Sequence, residues 1–159
     1  MTSIETYRAA LAALPAADWE PYLLAHANLP GPRGNLELAA VVADLGDEAQ
    51  FRRWSSLGPD VAPENTPVCF LAFCGVVGLG TVLARDARRG EVTSPGLPYH
   101  DAGGETLGGE TPPLRMLRTL ASDPRWRIRE AVALAQRIRL RPAYDAHRLR
   151  ASSVELTSW

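Results

Sequence analysis

Arginine and tryptophan are concentrated in the stretch SDPRWRIREAVALAQR, which covers residues 122–137. Guanidinium groups neutralise phosphates, and an indole ring stacks on nucleobases. Arg125, Trp126 and Arg127 are therefore candidate macromolecule-binding residues, and Arg118 on the preceding predicted helix joins them. This grouping would give a basic surface with one aromatic side chain.

The same residues also have a structural interpretation, in which the stretch is a well-capped helix. Asp123 followed by Pro124 is typical of an N-cap and first helical position. Trp126 would then pack against the preceding helix, and the arginines would form a solvated face. Arg129 is the one arginine of this face for which we predict a structural bond, to the neighbouring repeat of the same chain.

No group of residues in the sequence matches a catalytic or cofactor-binding pattern. His26, His100 and His147 are scattered, without cysteine or carboxylate at metal-binding spacing. Tyr99–Asp101 contains adjacent polar residues that cannot form a catalytic relay without special folding. GVVGLG, residues 75–80, lacks the spacing of a dinucleotide-binding loop. We predict no catalytic residue, no metal and no cofactor, so an enzyme is the less favoured class.

Charge is distributed unevenly along the 159 residues, although the net charge is only −1. Acidic residues dominate residues 1–50, and arginines dominate residues 111–150. Such a chain can self-associate or present its basic end to an anion. Lysine is absent, which we interpret as a coding bias rather than selection for phosphate binding.

The longest apolar run covers residues 68–84 and is typical of a buried core helix, since it is short for a membrane span and contains three glycines. Cys69 and Cys74 fall on different faces of that helix and should not pair. Two buried thiols suit a reducing compartment, and the N-terminus lacks a signal-peptide pattern. These observations predict a cytoplasmic protein.

Helix signals recur along most of the chain. Thr2 and Glu5 form a capping-box pattern, and Asp18 and Asn35 are predicted to cap the next two helices. Gly46 is predicted to end the third helix in a left-handed conformation, and Asp47 to cap the fourth. Because only one or two residues join these helices, they should form an antiparallel hairpin.

Two segments depart from the helical pattern. Residues 86–111 are rich in glycine and proline and predict an insertion within a helical domain that covers residues 1–140. Pro142 should stop the last helix. Residues 141–159 are therefore predicted to be an irregular or disordered tail, or one that packs on a partner.

A short helix, a turn with Asp-Pro and then W-x-I-R-E-A-V-A-L-A resemble the second half of a HEAT repeat. Asp123 and Arg129 match the turn aspartate and the inner-helix arginine of that family. The match is clear over residues 114–136 and faint over residues 35–57. The resemblance implies an all-α fold of antiparallel helix pairs, stacked as a short HEAT-like α-solenoid.

HEAT-like proteins usually hold another macromolecule on their concave face. The resemblance therefore implies a non-catalytic scaffold that binds a protein partner. The alternative is nucleic-acid binding through the arginine-rich C-terminal helices, with HEAT-like alkylpurine DNA glycosylases as its enzymatic form. Salt-dependent DNA affinity would distinguish the two. The sequence predicts no membrane association and does not predict an oligomeric state.

Overall fold

The predicted helices are present in the computed structural model, which describes residues 2–89 and 110–155, with side chains as far as Arg141. They are α1 (Ser3–Ala13), α2 (Trp19–Ala25), α3 (Leu36–Leu45), α4 (Glu48–Ser55), α5 (Pro67–Arg89), α6 (Pro112–Leu120) and α7 (Trp126–Glu155). Strands are absent from the described residues, so the fold is all-α, as predicted. Most of the predicted insertion, residues 90–109, and residues 156–159 of the predicted tail lie outside the described residues.

Side-chain caps start three of the helices as predicted. Thr2 and Glu5 form the complete capping box of α1. The Asn35 side chain accepts a hydrogen bond from the Leu38 N–H, and that of Asp47 accepts one from the Gln50 N–H. Asp18 differs from the prediction, because it ends a 3₁₀ turn and its side chain makes no capping hydrogen bond.

The link between α3 and α4 is as short as predicted. The predicted left-handed conformation of Gly46 and the predicted antiparallel hairpin of the two helices are both wrong. Gly46 is extended, with φ −76° and ψ 170°. Glycine is needed there for space, since a Cβ would lie 2.6 Å from carbon atoms of the Phe51 ring. Both α3 and α4 pack mainly on α5 rather than on each other.

The α5 helix lies at the centre of the fold. Every residue from Cys69 to Gly80 is buried, and α2, α3, α4, α6 and α7 all pack against this helix. This 23-residue helix contains an 18-residue window with a mean hydropathy of 2.2 and is long and apolar enough to cross a membrane. Because 83% of that span is buried by protein, it is the core helix that the sequence predicts.

Glycines on α5 let two neighbouring helices approach closely. A Cβ on Gly75 would lie 2.5 Å from the backbone nitrogen of Ser55 in α4. A Cβ on Gly80 would lie 2.5 Å from the Cα of Ala135 in α7. These contacts leave no room for a side chain at either position.

The last helix does not stop at Pro142, which is a correction to the predicted helix end. The α7 helix continues to Glu155. Proline inside a helix removes one hydrogen bond and crowds the carbonyl group four residues earlier, which can kink a helix without ending it. The flanking alanine, leucine and arginine residues are strong helix formers, which favours continuation.

Candidate functional site

Arg125, a predicted ligand-binding residue, is 4% exposed and fully engaged by protein groups. Its Nε and Nη2 each donate to the Asp123 carboxylate at 2.8 Å. Its Nη1 donates to the carbonyl oxygens of Leu57 and Ala62, both at 2.9 Å. Arg125 therefore fastens the start of α7 to the loop after α4 and is not presented to phosphate.

Arg127 is also 4% exposed and holds a second loop. Its Nη2 donates to the Gly31 carbonyl oxygen at 2.7 Å and to Asn65 Oδ1 at 3.3 Å. Its Nε lies 3.3 Å from Glu64 Oε1, at ion-pair distance, and its guanidinium carbon lies 4.4 Å from the centre of the Trp126 ring. This arginine is also a buried structural residue.

The other two candidate macromolecule-binding residues, Trp126 and Arg118, are more exposed than Arg125 and Arg127. The Trp126 side chain is 46% exposed, so it is neither fully packed nor free on both faces. The Arg118 side chain is 75% exposed and lies 3.1 Å from Glu110 Oε1. The structure therefore does not bring the four predicted residues onto one accessible surface.

The two residues of the repeat motif stabilise the start of α7. Asp123 accepts a hydrogen bond from the Arg125 N–H at 2.9 Å, as an N-terminal cap would. Arg129 Nη1 donates to the carbonyl oxygens of Asp123 and Pro124 at 2.7 and 2.9 Å. Arg129 therefore bonds its own turn and not the neighbouring repeat that the sequence predicts as its partner.

Hydrogen bonding by Arg125 lowers the pKa of the Asp123 carboxyl, which is 8% exposed. A lowered pKa in the folded state gives stability that is complete above the pKa of the unfolded state, near 3.8. That stability is lost as the pH falls from that value through the folded-state pKa. We therefore expect the free energy of unfolding to fall more steeply below pH about 5 in the wild type than in Asp123→Asn.

Urea unfolding at a series of pH values between about 3 and 7 measures this difference. Asp123→Asn should be less stable at neutral pH, with a shallower pH dependence at the acid end. Asp60→Asn is the matched control, since Asp60 is exposed and makes no ion pair within the described residues. Equal acid slopes for Asp123→Asn and wild type would contradict the role given to this carboxylate.

The thiols of the two cysteines are free and buried, which confirms that they do not pair. Burial raises the pKa of Cys69 to about 11 and also raises that of Cys74. Thiols in this state are poor nucleophiles near neutral pH. The described residues contain no group of three or more potential metal ligands.

An open apolar groove of about 820 Å³ lies between α3, α5 and α7. The sequence analysis did not predict it. Its residues come from all three helices: Leu36, Ala39, Ala40, Phe73, Val77, Leu134, Arg137, Ile138, Leu140 and Arg141. Leu134, Ile138 and Arg141 fall at positions i, i+4 and i+7 of α7, and this helical spacing was the available indication.

The charges of the groove have one sign. Among the described residues, its lining contains Arg137 and Arg141 and no acidic residue. Both arginines are exposed, and neither forms an ion pair with another described residue. Three other arginines at the surface, Arg8, Arg52 and Arg53, each pair with a carboxylate at 2.6 Å, whereas Arg33 and Arg115 are exposed without a described ion pair, as Arg137 and Arg141 are. The groove therefore has uncompensated positive charge beside an apolar floor.

A second, smaller cavity of about 410 Å³ lies beside α4 and α6. Its polar side chains are largely engaged: Arg52 pairs with Glu48, and the Ser55 hydroxyl donates to the Met116 sulfur at 2.8 Å. The α3–α5–α7 groove is the larger and more apolar of the two, and its arginines form no ion pair within the part of the chain that the structure describes.

Comparison with protein-family models, with curated proteins and with solved structures finds no match for this chain. The resemblance to HEAT repeats therefore stays a prediction, and function has to be argued from the geometry of the molecule itself.

Proposed function

We propose that this chain is a non-catalytic cytoplasmic interaction module that binds a protein partner in the α3–α5–α7 groove. The observation that carries the proposal is the open groove of about 820 Å³, with Leu140 50% exposed at its edge. Concave apolar surfaces with a few polar groups are the usual form of binding sites. The two reduced, buried cysteines support the cytoplasmic location.

We propose a HEAT-like arrangement for the α6–α7 pair only. These helices contact each other across a short turn, and Arg129 bonds the backbone of Asp123 within it. Both features support one HEAT-like repeat. The central position of α5 departs from a regular solenoid, in which each repeat contacts only its neighbours.

Nucleic-acid binding, including DNA glycosylase activity, has less support. Arg125 and Arg127 are each 4% exposed and donate to backbone carbonyl oxygens, so neither guanidinium is presented to a phosphate backbone. Trp126 already carries the Arg127 guanidinium over its ring. Measurement of duplex DNA binding at low and moderate salt is the direct test, and salt-sensitive binding would restore this alternative.

Blocking the groove should abolish partner binding without unfolding the chain. Ala40 lines the groove and is exposed, so Ala40→Arg fills it with a long side chain. Ala133 is exposed on α7 outside the lining, which makes Ala133→Arg the matched control. Peptides selected from a displayed random library on the wild-type protein should lose at least about tenfold in affinity for Ala40→Arg only, about 1.4 kcal/mol.

Both variants should keep the wild-type circular dichroism and melting temperature to within a few degrees. Peptides that bind wild type and Ala40→Arg equally would contradict the proposal, as would a library that yields no binder to the wild-type protein.

A further inference from the structure

The α3–α5–α7 groove is lined on each of its three helices by residues that lie about one helical turn apart. Phe73 and Val77 are one turn apart on α5, and Leu134 and Ile138 are one turn apart on α7. From Leu134 to Arg141 the lining covers eight residues of α7, whose seven steps of about 1.5 Å give a length of about 10 Å. The apolar strip therefore matches about two turns of an added helix.

The third wall of the groove, which is formed by α3, allows an added helix to approach closely. Ala39 and Ala40 of α3 contribute only methyl groups to the groove. Small residues of this kind let helices pack near the lower end of the usual 8–10 Å separation. An occupying helix would present apolar side chains at i, i+3 or i+4, and i+7.

The positive charge of the groove indicates which polar residues the binding helix should carry. Arg137 and Arg141 are four residues apart on α7, so they lie on one side of the helix, about 6 Å apart along it. Carboxylates one turn apart on an occupying helix have the same spacing. Guanidinium groups bind carboxylates in a fixed, often bidentate geometry.

We infer that the partner segment is an acidic amphipathic helix, and this inference rests on the proposed function of the groove. Its apolar face lies against Phe73, Val77 and Leu134, and its acidic residues face Arg137 and Arg141. A nucleic acid fits less well, because the floor is apolar and two unpaired cations cannot follow a phosphate backbone.

Sequencing of the library peptides whose binding is lost in Ala40→Arg tests the chemistry. The expected result is apolar residues at i, i+3 or i+4, and i+7, with aspartate or glutamate beside them. Arg137→Glu combined with Arg141→Glu should weaken these peptides at least about tenfold. Arg33→Glu combined with Arg115→Glu makes the same charge change at exposed positions outside the groove and should have little effect.

A charge exchange separates a binding role from a folding defect. Peptides in which the acidic residues are replaced by lysine should bind the Arg137→Glu/Arg141→Glu protein better than the wild type. The inference would be overturned by groove-dependent peptides that are neutral or basic, or by peptides whose affinity does not change when Arg137 and Arg141 are replaced. The proposed function would still stand in either case.

Two further outcomes would also overturn the inference. Sedimentation of the chain alone could reveal a dimer that Ala40→Arg dissociates, which would identify a second copy as the occupant. Displacement of the selected peptides by duplex DNA in low salt would identify a nucleic acid. Loss of all groove-dependent binders would instead remove the proposed function itself.

Discussion

Replacement of Arg125 by alanine is expected to lower the free energy of unfolding by about 3–5 kcal/mol. The change leaves the buried Asp123 carboxylate without its ion-pair partner and the carbonyl oxygens of Leu57 and Ala62 without the donor they share. A buried charge that loses its partner carries most of its desolvation cost into the folded state. Urea unfolding monitored by circular dichroism measures the loss.

Arg118→Ala is the matched control for this experiment. That arginine has a 75% exposed side chain and a single ion pair, so its removal should change stability by no more than about 0.5 kcal/mol. Arg125→Lys should restore little, because lysine lacks the planar fork that reaches the carboxylate and two carbonyls together. Equal stability of Arg125→Ala and Arg118→Ala would show that the cluster around Arg125 does not fasten α7.

Gly80→Ala should destabilise the fold by about 1–3 kcal/mol, although alanine is the better helix former. The added Cβ would lie 2.5 Å from both the Cα and the carbonyl oxygen of Ala135. Those are backbone atoms of α7, which cannot rotate away as a flexible side chain would. The helices must therefore move apart, and the packing of α7 on α5 weakens.

Gly58→Ala is the control, because a Cβ there meets no atom within 4 Å and the backbone is not in the left-handed region. It should be neutral or stabilising by up to about 1 kcal/mol, through reduced freedom of the unfolded chain. Thermal unfolding of the two variants gives the comparison. A melting temperature for Gly80→Ala at or above that of Gly58→Ala would be inconsistent with tight contact between α5 and α7.

Local features of the fold could be predicted from the sequence because their causes lie within a few residues. The caps formed by Thr2, Asn35 and Asp47 each join a side chain to a backbone N–H three positions later. The helix α5 could likewise be predicted, from its long apolar run. The extended conformation of Gly46 was not predicted. The space available at this residue is set by the Phe51 ring and not by the turn alone.

The candidate site was predicted poorly, for a physical reason. The acceptors of Arg125, at Leu57 and Ala62, are 68 and 63 residues away in sequence, so the pattern of the stretch around it could not reveal its burial. The same pattern fits a basic surface or a buried clamp. The groove likewise depends on which faces of α3 and α7 stay uncovered once both have packed on α5.

The central position of α5 also determines how this part of the chain can change over evolution. An array of repeats lengthens by the addition of units at its ends, since each unit needs only one neighbour. Helices that share one central helix are limited instead by the circumference of that helix, and α5 contacts five other helices among the described residues. New sequence is therefore accommodated most readily between helices, while the number of helices around α5 stays fixed.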